Sequence, residues 1–201
     1  MRPAFVTLWV DPSCPWAWQG ARWLRDLAAR GTVTIEWKLF SLELNASEPD
    51  TPFWEACELY GDALVALALA RREGGNALFE LLYVAYSARK HDANGDPSAA
   101  AVGEAARDAG LGGILERALA TPDLAGEIAA EFHAARDQSV FGVPTLKIGD
   151  TKVVYGPLFA LAPEGEDAER MWEHVRWLAE RPDFFEMKRW PRDVRPGERG
   201  T

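Results

Sequence analysis

The sequence predicts an α/β fold interrupted by an all-helical insertion domain, and three observations carry that reading. Phe5-Val6-Thr7-Leu8-Trp9-Val10 has the length and the β-branched and aromatic content of a buried strand, and it hands over directly to residues of helical spacing. From about Thr51 to Gln138 apolar residues keep helical spacing with little strand signal. Strand patterning returns at Phe141. The expected organisation is therefore 1–50 for the first part of the α/β domain, 51–138 for the helical insert, and 139–201 for the second part with a C-terminal tail.

Each element has its own signal. Pro15 stands at the first helical position that proline favours, Trp16, Leu24, Leu27 and Ala28 follow at helical spacing, and Gly31 closes the run. Val33 to Phe40 alternates at period two, as a half-buried strand does, so the opening order is strand, helix, strand, which suits a right-handed parallel crossover. Leu42, Leu44 and the turn-rich 45–50 end this half. Leu59, Ala63, Ala66, Leu67 and Ala70 mark a helix ending near Gly74-Gly75, and Leu78, Leu82, Ala85 and Tyr86 mark another. After a turn over 91–96, Pro97-Ser98 begins a helix that stops at Gly110, and Thr121-Pro122 reads as N-cap and first-turn proline of the next, with Leu124, Ile128 and Phe132 on one face. No internal period suggests a repeat array. The strand signal resumes over Phe141 to Ile148, with the sheet strand itself expected near 145–149, Gly149-Asp150 as a hairpin turn, and 152–156 as its partner. A last helix is expected from Glu166 to Arg181, with Met171, Val175 and Leu178 toward the core, followed by a tail whose Phe184, Phe185 and Trp190 lie along the domain.

Composition narrows the function. The 201 residues are 48% hydrophobic, enough for a sizeable core, and the net charge of −9 argues against nucleic acid or an anionic membrane as partner. No apolar run approaches a membrane span. Met1-Arg2-Pro3 leads straight into the first strand without a signal-peptide pattern, so a cytoplasmic location is expected. The two cysteines do not make a disulfide scaffold. Cys14, where a strand meets a helix N-terminus, is expected to be a reactive thiolate, its pKa lowered from ~8.5 to roughly 3.5–7.5 by the first-turn N–H groups and the helix dipole. Cys57 reads as a packing residue on a helix face. His91, His133 and His174 lack metal-ligand spacing, so no metal is expected. Most of the nine tryptophans read as core, with Trp16 fixed near the sulfur by its place beside Pro15.

Ser13-Cys14-Pro15-Trp16 resembles the active-site start of the thioredoxin superfamily, and more narrowly of DsbA-type proteins, where Cys-Pro-x-Cys opens the first helix. The resemblance extends over nearly the whole chain and implies a thioredoxin-like fold with an all-helical insertion domain. Val143-Pro144-Thr145 is its second part. Proline is odd at the start of an apolar strand, and the resemblance implies that Val143-Pro144 is cis and lies against Cys14, with the Val143 backbone available to a thiol-bearing ligand. Ala17 stands where the family's resolving thiol would be. Either the protein is naturally monothiol or an original cysteine has been exchanged for alanine.

The resemblance implies a thiol-disulfide oxidoreductase in which Cys14 attacks a disulfide or other electrophile and an external low-molecular-weight thiol, mycothiol or glutathione, completes turnover as co-substrate. Pro15, Trp16, Val143 and Pro144 would line the substrate site, and a homodimer is an admissible assembly. Intracellular mycothiol-dependent members are the nearest group. An alternative is a kappa-class glutathione transferase or 2-hydroxychromene-2-carboxylate isomerase, in which Cys14 would replace the serine that orients a glutathione thiolate. A third reading is a binding protein without turnover.

Overall fold

The computed structural model describes residues 2–189 and 195–198. Its elements are β1 (Ala4–Val10), α1 (Pro15–Ala29), β2 (Val33–Leu39), α2 (Leu42–Ala46), α3 (Phe53–Ala56), α4 (Gly61–Ser87), a π-helical turn (Ala88–Asp92), α5 (Ala99–Asp108), α6 (Ile114–Leu119), α7 (Leu124–Asp137), β3 (Thr145–Ile148), β4 (Val154–Tyr155) and α8 (Gly165–Ala179). The strands form one mixed sheet in the order β2-β1-β3-β4, with β1 parallel to β2 and antiparallel to β3. As an inner strand β1 is covered on both faces, which is why it reads as an apolar run, interrupted only by Thr7, and is buried from Val6 to Val10. Edge strand β2 is only partly covered and keeps polar residues between its buried ones.

On one side α1 and α8 pack through Trp23, whose Nε1 donates to the Ala168 carbonyl at 3.1 Å and whose ring lies 6.1 Å from that of Trp172. The second half of α4 brings Phe79 and Tyr83 onto Trp37 of β2, with ring centroids 6.0 and 5.4 Å away. Between these halves α4 is broken at Gly74 and Gly75, where Gly75 takes φ 61° and ψ −152°, a conformation open in practice only to glycine. The break sets Asn76 along the free edge of β2: its Oδ1 accepts from Trp37 N at 3.3 Å and its Nδ2 donates to the Ile35 carbonyl at 3.1 Å. Before the break, Arg71 pairs with Glu131 of α7, and Glu131 Oε1 also accepts from Leu39 N at 3.2 Å.

Several expectations need correction. Residues 42–46 form a short helix capped by Ser41, whose Oγ accepts from Leu44 N at 3.1 Å, rather than running on as turn. Thr121-Pro122 does not open α7; the Thr121 hydroxyl instead bonds back to the Arg117 carbonyl at 2.7 Å and closes α6, a helix the periodicity reading omitted. Residues 141–144, part of the apolar run, are loop, and β3 occupies Thr145–Ile148, where the sheet strand was expected near 145–149. On α8 the buried residues are Ala168 and Trp172, while Met171 and Val175 are half-buried. Trp54 and Trp177 are exposed rather than core. In the tail Phe185 is 91% exposed, so it does not lie against the domain. Trp190 falls outside the described residues.

Candidate active site

The site forms where the C-terminal end of β1 turns into α1. Cys14 is the N-cap of α1, with extended backbone and Pro15 next in line, and its Sγ accepts the Ala17 N–H at 3.4 Å. The thiol reaches across to the loop before β3 and donates to the Val143 carbonyl at 3.6 Å. The Val143-Pro144 peptide is cis. The loop is fixed on both sides, since Thr145 Oγ1 donates to the Gly142 carbonyl at 2.7 Å and the Pro144 carbonyl accepts from Gly156 N at 2.8 Å. α1 comes close because residue 20 is glycine: a Cβ there would stand 3.2 Å from the Pro144 ring.

Cys14 is nearly buried. The turn before it is held by Asp11, a buried carboxylate whose Oδ1 accepts from Ser13 N at 2.6 Å and whose Oδ2 accepts from Leu42 N at 2.5 Å. Burial, the largest influence, pushes the Cys14 thiol up to about 11; the Ala17 N–H and, more weakly, the Trp16 N–H pull the other way, and the nearby negative charge of Asp11 adds a smaller push upward. This corrects the expected low-pKa thiolate, because the helix N-terminus operates here inside an apolar shell. A value raised this far favours the thiol over the thiolate near neutral pH. The S–H donation to Val143 agrees with that state.

The helical insert reaches this turn twice. His91 Nε2 donates to the Pro12 carbonyl at 3.0 Å, and Trp18 Nε1 donates to Asp92 Oδ1 at 2.9 Å. Tyr83 packs edge-on against Trp18 with ring centroids 6.2 Å apart, and burial, then the neighbouring Cys14, holds its phenol well above the ordinary range. Cys57 caps α3 rather than lying on a helix face; it is buried with Sγ 3.4 Å from Ser41 Oγ.

A family model described as "Rv2466c-like: Mycothiol-dependent nitroreductase Rv2466c" matches residues 13–189. The chain belongs to the Rv2466c-like family. The uncharacterized protein Rv2286c of Mycobacterium tuberculosis is 31% identical over 187 residues, covering 92% of this chain and 81% of that protein. Solved structures of similar fold include the probable DsbA oxidoreductase SCO1869 from Streptomyces coelicolor, with a TM-score of 0.59, 19% identity and coverage of 95% and 97%. A 2-hydroxychromene-2-carboxylate isomerase gives a TM-score of 0.60 at 16% identity, covering 86% of this chain and 93% of that one. The fold of this Rv2466c-like protein is thus thioredoxin-like with a helical insertion, and its family implies mycothiol as co-substrate. No helix among the described residues is long and apolar enough to cross a membrane.

Of the residues singled out in sequence, Cys14, Pro15, Val143 and Pro144 meet at this junction, and Trp16 is half-buried beside them. The sequence reading missed Asp11, His91 and Tyr83. Asp11 lies three residues before the cysteine and its place at a buried strand end was a usable signal; nothing in the pattern points to His91 or Tyr83, which arrive from the insert.

Proposed function

We propose that this protein is a mycothiol-dependent reductase that works through Cys14 alone. The observation that carries the reading is a helix-capping thiol held against Val143 with Ala17, not a second cysteine, one turn on, in a chain matched by the mycothiol-dependent family. Cys14 loses its proton and attacks one sulfur of a disulfide; the new Cys14–S bond forms as the old S–S bond breaks, and the leaving thiolate takes up a proton. One mycothiol thiolate then displaces the second substrate sulfur and becomes bound to Cys14. A second mycothiol attacks that mixed disulfide and restores Cys14. The net change is two mycothiols oxidised to mycothiol disulfide and one substrate disulfide reduced to two thiols. For a nitro substrate, the class in the family description, the same two thiols supply two electrons and two protons, giving a nitroso compound and water. Pro15, Trp16, Val143 and Pro144 line the substrate side, and the protein works in the cytoplasm.

One observation favours a second reading. Cys14 Sγ is placed as a donor, 3.6 Å from the Val143 carbonyl, and a thiol so placed can donate instead to another molecule's thiolate, as the serine of an isomerase would. Intact mass after incubation with mycothiol disulfide separates the two: a Cys14 adduct, lost in Cys14→Ala, is expected for the reductase. Retention of full activity by Cys14→Ser would overturn that reading in favour of the isomerase type, because a serine hydroxyl cannot exchange with a disulfide. Ala17→Cys should shorten the life of the adduct by supplying a resolving thiol.

A further inference from the structure

The two side chains that the insert delivers to the active-site turn come from neighbouring positions on one π-helical turn, His91 and Asp92. Such turns are rare in proteins and concentrate at functional sites. They grip the turn on either side of Cys14, His91 at Pro12 and Asp92 at Trp18. Arg22 reinforces the second contact: its guanidinium lies 3.7 Å from Asp92 and 5.9 Å above the Trp18 ring. The first contact completes a pattern at one peptide unit. The Ser13 N–H of the Pro12–Ser13 peptide is taken by Asp11 Oδ1, and the carbonyl at its other end is taken by His91. One peptide unit separates it from Cys14, and that unit's N–H is taken in turn by the Asp11 carbonyl at 3.1 Å, so with both its ends held the Pro12–Ser13 peptide is fixed in orientation. Since a carbonyl only accepts, His91 must carry its proton on Nε2.

We propose that His91 is a positioning residue for Cys14: by fixing the Pro12–Ser13 peptide it holds the thiol in its buried place against Val143. The inference rests on Cys14 being the reacting group, as read above. The groups that face this pair are Asp11 at the end of β1, Tyr83 of α4, Lys90 and Asp92 of the π-turn, and, beyond Asp92, Arg22 of α1. Burial outweighs the other influences on His91 and lowers its pKa, so its imidazole is neutral near pH 7 and the contact is a hydrogen bond rather than an ion pair.

Without His91 the peptide turns, water reaches the sulfur, and the main cause of the high thiol pKa is relieved while the reacting geometry is lost. The test is the pH profile of Cys14 alkylation by iodoacetamide, together with mycothiol-dependent turnover, for the parent protein, His91→Ala and His91→Gln, all in a Cys57→Ala background. His91→Ala is expected to move the alkylation midpoint down by about half a pH unit or more and to lower turnover about tenfold or more. His91→Gln, whose amide can donate to the Pro12 carbonyl, should restore both to within about twofold. A His91→Ala midpoint equal to the parent's overturns the proposal, as does a His91→Gln that behaves like His91→Ala. If His91→Ala does not fold, His91→Leu, which keeps the volume, is read by the same criteria. Failure of the parent to form a mycothiol adduct would instead sink the functional reading, and the alkylation midpoints would still judge His91.

Discussion

At the scale of single residues, the state of the Cys14 thiol is set by a competition between a helix N-terminus and burial, which burial wins. The thiol pushed up to about 11 makes a prediction: alkylation of Cys14 in the ligand-free protein rises about tenfold per pH unit from neutrality toward pH 10. A plateau below pH 8 would show a thiolate instead. Asp11→Asn removes the negative charge that opposes ionisation, so the alkylation midpoint should fall; the amide can accept only one of the two N–H groups, and the melt should report a loss of about 1–3 kcal/mol. The two cysteines also set an alkaline limit. Both thiols are raised from an ordinary 9.0 to about 11, so the folded state holds two protons that the unfolded chain gives up earlier. Their stabilisation is complete below pH 9 and is lost as pH rises to 11. Unfolding free energy should fall across that window, and Cys57→Ala should flatten the fall.

At the scale of elements, the break in α4 decides where the insert meets the sheet. Gly75→Ala must place a Cβ on a backbone of φ 61° and ψ −152°, and urea denaturation should show a loss of about 1–3 kcal/mol. A neutral result would mean that the helix straightens without cost. The break was legible, because Gly74-Gly75 interrupts a strong helical period, and so were β1, α1, β2 and α5, whose apolar pattern and punctuation agree with their packing. The misreadings at the helix ends share one cause. Thr121 and Ser41 carry cap-forming side chains, and which helix end such a group closes depends on neighbours that the local sequence does not reveal. The site was half legible for a related reason: Cys14 and Pro144 announce themselves by type, whereas His91 matters only through a carbonyl on a segment far away in sequence.

At the scale of the molecule, the insert is bound to the sheet by side chains that engage backbone. Glu131 is the most exacting case, since it serves Arg71 and the Leu39 N–H together, both largely shielded. Glu131→Gln should lower stability by about 1–3 kcal/mol, more than loss of the exposed Arg89–Glu104 pair, and a comparison of melts for Glu131→Gln and Glu104→Gln tests the order. The same residue, with Asn76, has a consequence for the protein in a crowded cell. An edge strand with free N–H and C=O groups is a template for pairing with a foreign chain. On β2 the Trp37 and Leu39 N–H groups and the Ile35 carbonyl are already taken by an amide and a carboxylate that imitate the neighbour a further strand would provide. At the opposite margin β4 is two residues long and is followed by Gly156 and Pro157, which leaves a newcomer little to grip. On the β2 side the helical insert thus stands where a foreign strand would have to add, and leaves it few backbone groups to pair with.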